Sequence, residues 1–206
     1  MALSYTLDQY VNDLRAITAK ETDPVKITDL VAPLAKKFAQ SRGWFRSEYR
    51  DCDAEQGFGV HMLHEEPNHD LAVFLVSWLP NRGTTPHNHK TWAVVVGMEG
   101  EEKEISYDRV DDGVTPGYAH LKRGGEQVIT AGEITRCYPE HIHSVWNVGK
   151  KVSMSLHTYG RHINYTGRSE FDVEHKREKP YVLKVAVEEH ARAVPTNLVG
   201  GPNASA

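Results

Sequence analysis

Residues 84–97 read TTPHNHKTWAVVVG. The second half, Trp92 to Gly97, is apolar at nearly every position and β-branched in its middle, the texture of a strand entering a core. The first half places His87 and His89 one residue apart at the head of that run, after Gly83 marks a turn and Pro86 biases Thr85 toward extended geometry. Residues i and i+2 of a strand share a face, so the two imidazoles aim at one point if the strand begins by His87. Taken alone, the pair fits either a metal site at a strand mouth or two exposed histidines beside a loop.

Outward from this stretch the same texture repeats. LAVFLVSWLP (71–80), EKEISYDRV (102–110), GGEQVITAGEITRCYP (124–139), SVWNV (144–148) and KVSMSLHTYG (151–160) are short runs rich in β-branched and aromatic residues, punctuated by Gly, Pro and Asn. Many short strands at regular spacing predict a mainly β protein, a barrel or sandwich of antiparallel strands starting near Gly57. The preceding segment is helical in pattern. TLDQYVNDLRAITAK (6–20) has apolar residues on one helical face, and TDPVKITDLVAPLAKKFAQSRGW (22–44) opens on Asp23-Pro24 and closes at Gly43, with Pro33 expected to split it into two short helices. One domain over 1–206 is expected, with residues 1–45 as a helical portion packed on the barrel. The small polar tail after Pro195 is expected to be loose.

Composition narrows the function classes. The 206 residues carry a net charge of -4, with 39% hydrophobic and 25% charged residues, the balance of a globular protein. No basic cluster points to nucleic acid, and no apolar run approaches the ~20 residues of a membrane span. The N-terminus has neither the basic start nor the apolar core of a signal peptide, so a cytoplasmic location is expected. The 2 cysteines, Cys52 and Cys137, form neither a disulfide framework nor a zinc-ribbon pattern. The 12 histidines stand out, and any metal chemistry would fall to imidazoles and carboxylates. Oligomeric state is not legible.

Two further clusters add chemistry. YPEHIHSVWN (138–147) offers His141 and His143, both of one parity, as a third ligand from a distant strand; His143 and Asn147 form H-x-x-x-N. In VSMSLHTYG (152–160), Ser153, Ser155, His157 and Tyr159 share one face. If that face points into the barrel it needs mutual hydrogen bonds or a ligand, and Ser155, His157 and Tyr159 form a chain of hydroxyl, imidazole and phenol. If it points outward it is a solvated strand. Where a carboxylate ligand would follow HxH the sequence is apolar, around Ala93 and Val94; Glu99 lies further on, in turn-like sequence. A set of three neutral histidines leaves a divalent ion its full charge, which suits an anionic ligand such as a thiolate. Zinc with a bound hydroxide is the competing chemistry, and ligand type alone does not separate zinc from iron.

The combination of PHNH before an apolar strand, HIHSVWN and SLHTYG resembles the thiol dioxygenases of the cupin superfamily, over roughly Gly57 to Asp172 plus the helical preface. The resemblance implies a cupin double-stranded β-helix (jelly-roll) holding one ferrous ion on His87, His89 and His143, with Ser155, His157 and Tyr159 beside it. It implies oxidation of a small thiol by dioxygen to the sulfinic acid. Two departures bear on the substrate. Animal-type cysteine dioxygenases carry a cysteine soon after HxH, cross-linked to the tyrosine; here Ala93-Val94 stand there, so no cross-link to Tyr159 is expected. Those enzymes also bind the substrate carboxylate by an upstream arginine, whereas GFGVHMLHEE (57–66) has none. The 3-mercaptopropionate branch places that arginine after the S-x-H-x-Y strand, where this chain has Arg161 and Arg168. Arg168 is the expected carboxylate anchor, since a guanidinium fork suits two-point contact. His61 and His64 are candidates to line the pocket. The alternatives are an L-cysteine dioxygenase, a zinc or manganese cupin of other chemistry, and a non-catalytic ligand-binding cupin.

Overall fold

The computed structural model describes residues 5–186; the tail after Pro195 lies outside them. Helix α1 (Leu7–Thr18) starts at Thr6, whose side chain caps the Gln9 amide while the Gln9 side chain reaches back to the Thr6 amide. Helix α2 (Pro24–Gln40) is capped by Asp23, which accepts from the Val25 amide. Pro33 does not divide it, contrary to the sequence expectation. The proline is exposed, as is Asp29, so the carbonyl that loses its partner one turn back faces water. The opposite face, with Ile27, Val31, Ala35 and Phe38 buried, keeps the helix continuous.

The strands are β1 (Phe58–Glu65), β2 (Asp70–Trp78), β3 (Ala93–Glu99), β4 (Glu102–Arg109), β5 (Leu121–Ile129), β6 (Ile134–Cys137), β7 (Ile142–Asn147), β8 (Ser153–Arg161), β9 (Ser169–Asp172) and β10 (Arg177–Pro180). They form a five-stranded sheet in the order β1-β2-β8-β3-β6, a three-stranded sheet β5-β4-β7 and a hairpin β9-β10, with every pairing antiparallel. The jump from β2 to β8 to β3 brings strands remote in sequence side by side. This is the mainly β, double-stranded β-helix layout that the sequence led us to expect.

One face of the five-stranded sheet packs on the helices. Val73, Leu75, Val94, Val96, Met154 and Leu156 join Tyr10, Leu14, Val31 and Phe38 in one buried cluster. The alternate residues of the same strands, among them Phe74, Val76, Ala93 and Tyr159, turn inward toward the smaller sheet. Period-2 alternation thus gives each strand one face to the helices and one to the barrel interior. The Tyr10 hydroxyl and Thr158 Oγ1, 2.7 Å apart and buried, tie α1 to β8 at the seam. No helix among the described residues is long and apolar enough to cross a membrane.

Candidate metal centre

His87 and His89 sit in the loop ahead of β3, whose regular pairing starts only at Ala93; the expected strand does not reach back to them. The loop is held by its own ladder. His87 and His143 exchange both backbone hydrogen bonds, at 2.8 and 3.0 Å, so the loop lies against β7. On its other side the Phe171 amide donates to the Pro86 carbonyl, and Asn88 exchanges contacts with Ser169: its amide donates to the Ser169 carbonyl and its buried Oδ1 accepts from the Ser169 amide. Asn88, which no sequence pattern singles out, therefore locks the histidine loop to the segment that carries Arg168.

The result is a cluster of three buried imidazoles. One ligand atom from each of His87, His89 and His143 lies within 4.8 Å of the others. His87 Nδ1 is 2.9 Å from the Thr85 carbonyl and His143 Nδ1 is 2.7 Å from Glu104 Oε1, which leaves both Nε2 atoms unpartnered. His89 Nδ1 is buried with no hydrogen-bond partner. Burial holds His87 and His89 well below the usual imidazole range, and the neighbouring imidazoles and Arg168 reinforce the shift, so both keep their lone pairs. Three converging, under-bonded imidazoles are a donor set that fits a metal ion. His143 rather than His141 joins the set; His141 lies outside it, partly exposed, with Nε2 4.0 Å from Glu104. Asn147, at the end of β7, fastens the Trp78 and Lys151 carbonyls through Nδ2 and caps the Gly149 amide.

The serine–histidine–tyrosine face of β8 points inward. Ser155 Oγ is 2.8 Å from His157 Nε2, and His157 Nδ1 is 2.9 Å from the Tyr159 hydroxyl. The Trp78 indole donates to Ser155 Oγ at 3.4 Å. Burial pushes His157 down to about 3, so it is neutral and shares one proton between its two contacts. Burial also drives the Tyr159 phenol upward, with Arg168 acting against it. The register sets Ala93 between Tyr159 on β8 and Cys137 on β6.

Arg168 is 3% exposed. Its guanidinium lies 4.3 Å over the Tyr181 ring, its Nε donates to the Tyr181 carbonyl, and Nη2 is buried without a partner. The three histidines, His157, Tyr159 and Arg168 all line one cavity of about 30 Å³, whose other walls are mostly apolar and include no carboxylate. Arg161 is at the surface, paired with Asp70 and the Tyr165 carbonyl. His61 and His64 are not on the cavity wall: they engage the Asp51 carbonyl and Glu66. Glu99 ends β3 and pairs outward with Arg50 and Arg42.

Two buried acids on β4 were not singled out from the sequence. Glu102 and Glu104 share its inner face and, with His143 and His157, line a second small cavity. Glu104 Oε2 accepts from Gln127 and Thr135, and the donors around this carboxylate, led by His143, hold it down to about 2 against burial. Glu102 lacks such support: Oε1 is unpartnered, and burial pushes the carboxyl up to about 7, with the Ser155 and Ser153 hydroxyls pulling the other way. Cys137 and His141 also come within 4.8 Å of Glu104 and His143. Since Glu104 already takes three donors and burial keeps the Cys137 thiol protonated, this outer group supports His143 from behind.

No protein-family model matches the chain. Among solved structures it is similar to an oxalate oxidase bound to the substrate analogue glycolate (19% identity, TM-score 0.43), with 60% of this chain and 61% of that one covered. It is also similar to an uncharacterised protein with a double-stranded β-helix domain from Klebsiella pneumoniae (14% identity, TM-score 0.44, 63% of this chain and 97% of that one). A third is the cupin domain of an XRE family transcriptional regulator from Enterobacter cloacae (16% identity, TM-score 0.37, 50% and 96%). The chain thus spans about three fifths of the oxalate oxidase, and likenesses this distant carry no chemistry across; the chemistry rests on the side chains above.

Proposed function

We propose that the protein is a non-haem iron thiol dioxygenase acting on a small carboxylate-bearing thiol, with 3-mercaptopropionate favoured over L-cysteine. The observation that carries this reading is one small cavity lined by three groups at once: a metal-ready histidine triad, a phenol on a buried relay, and a buried guanidinium whose Nη2 has no partner. A buried cation with no ion-pair partner among the described residues asks for an anion, and a carboxylate meets the guanidinium fork at two points. An ammonium group, by contrast, would find no carboxylate on the cavity wall, which disfavours an amino acid relative to its deaminated analogue. The overall conversion is R–SH plus O2 to R–SO2H, with both oxygen atoms on sulfur and no external reductant.

His87, His89 and His143 would hold the ferrous ion, which when bound supplies open coordination positions and the redox chemistry of sulfur oxygenation. Arg168, kept in place by Tyr181, fixes the carboxylate end and so the reach of the sulfur. Tyr159 presents its hydroxyl to the reacting end. His157 and Ser155 take up or return the charge as that hydroxyl donates a hydrogen bond. The apolar wall formed by Phe74, Val76 and Ile163 excludes bulk water.

Oxygen uptake by the iron-loaded protein with 3-mercaptopropionate, L-cysteine and cysteamine tests the proposal, with metal analysis of the purified protein deciding between iron and zinc. Uptake is expected to be most efficient with 3-mercaptopropionate and poorest with cysteamine; no thiol-dependent uptake with any of them would sink it. Arg168→Ala is expected to raise KM for carboxylate-bearing thiols roughly 10- to 100-fold, the worth of one charge-assisted contact, and to leave cysteamine little changed.

A further inference from the structure

The Nδ1 atoms of the three imidazoles are treated differently. His87 Nδ1 meets a backbone carbonyl at 2.9 Å, His89 Nδ1 meets nothing, and His143 Nδ1 meets a carboxylate at 2.7 Å. That carboxylate is deeply placed and immobilised. Glu104 is 5% exposed, and its second oxygen is gripped by Gln127 of β5 at 2.8 Å and Thr135 of β6 at 3.2 Å. It thus reaches His143 from its own strand while two other strands hold its orientation. His141, at 4.0 Å, is the only other imidazole near the same oxygen among the described residues, and it stands aside at the edge of the cluster.

We propose that Glu104 is a positioning residue of the metal centre: it holds the His143 imidazole with Nδ1 protonated and Nε2 aimed at His87 and His89, and gives an otherwise neutral ligand set a negative charge one imidazole away from the metal. The inference rests on the metal-centre part of the proposed function and not on the identity of the thiol. A carboxylate partner on the far nitrogen makes an imidazole a stronger electron donor than a carbonyl partner does, and it removes the freedom of the ring to flip or change tautomer. The carboxylate missing from the sequence after HxH is, on this view, supplied from β4 in the outer layer. It stabilises the more highly charged state of a bound iron over the ferrous state while leaving every open coordination position free.

The test uses the full chain and reads metal binding rather than turnover. Glu104→Gln keeps the side-chain shape and removes the charge. It is expected to lose roughly 10- to 100-fold in ferrous affinity, measured by chelator competition. It should also move the ferric/ferrous potential of the bound iron to more positive values. An affinity and a potential both equal to those of the parent would overturn the proposal and leave Glu104 a purely structural acceptor. A second measurement needs no variant: in the metal-free parent protein, 15N shifts of the His143 ring are expected to report the Nδ1–H tautomer. The Nε2–H tautomer would overturn the proposal even if the variant failed to fold. A protein that binds iron with the expected dependence on Glu104 but oxidises no thiol would refute the substrate reading and leave this inference standing.

Discussion

Tyr159 can share its proton with the cavity or with His157, and nothing else polar reaches its hydroxyl among the described residues. Tyr159→Phe is therefore expected to lower kcat by roughly 10²- to 10⁴-fold while iron content stays at the parental level, read by turnover and metal analysis on the same sample. Glu102 gives a prediction of another kind. Its carboxyl holds its proton more tightly in the folded state than in the unfolded chain, so the stability it contributes is complete below about 4.5 and is lost as pH climbs past about 7. Glu102→Gln should remove that decline, and the variant should gain at most about 3 kcal/mol over the parent at pH 8 relative to pH 4 in urea unfolding of the metal-free protein. Parallel pH profiles would show that the carboxyl is not desolvated. At this scale the sequence was partly legible. HxH, H-x-x-x-N and S-x-H-x-Y named the residues, but parity could not separate His141 from His143, which differ in depth and not in face. Glu102 and Glu104 were invisible because EKEISYDR carries charge on both faces, and alternation that names no apolar side does not say which side is inside.

Local geometry decides whether the elements deliver those residues. The loop before β3 reaches β7 through a close approach at Gly83, which bridges Trp146; a Cβ there would collide with the Val145 carbonyl oxygen. Gly83→Ala should lift the loop off β7 and weaken metal binding at least as clearly as it lowers thermal stability, although residue 83 touches no ligand. Equal metal affinity in the two proteins, by the same chelator competition, would mean that the loop is held by the His87–His143 ladder alone. Most strands were readable from β-branched runs. β1, β9 and β10 were not: β1 alternates only over Phe58, Val60 and Met62, with two histidines and an acid to dilute it, and the four-residue SEFD and REKP are too short and polar to stand out, so neighbours supply their ladders. Pro33 misled in the other direction, since its cost depends on whether the freed carbonyl faces water, and a sequence does not state that.

Across the whole molecule, the helices, the larger sheet and the smaller sheet are stacked so that β8 and β3 serve both interiors, with Leu156 on the helix side and His157 on the barrel side. The mainly β class and the helical preface were legible, because period and length carry them. The closure of the site was not, because it depends on a segment with no secondary structure. Beyond β10 the chain runs back over the barrel. The Tyr181 amide donates to the Arg168 carbonyl, Leu183 and Asn164 exchange two hydrogen bonds, Lys184 and Gln56 exchange two more, and Ala186 pairs with Val60 and Met62. Tyr181 and Leu183 thereby become part of the cavity wall.

That stitched segment sets a clock as well as a boundary. A space of about 30 Å³ holds roughly one water molecule, less room than a hydrated ion or a six-heavy-atom acid needs. Exchange with solvent then waits for a local opening whose frequency belongs to the protein. Release of bound metal to a strong chelator should reach a plateau rate as chelator is raised, and loss of the paired side-chain bonds in Gln56→Ala should raise that plateau. A release rate that kept climbing in proportion to chelator would mean that the way in lies elsewhere.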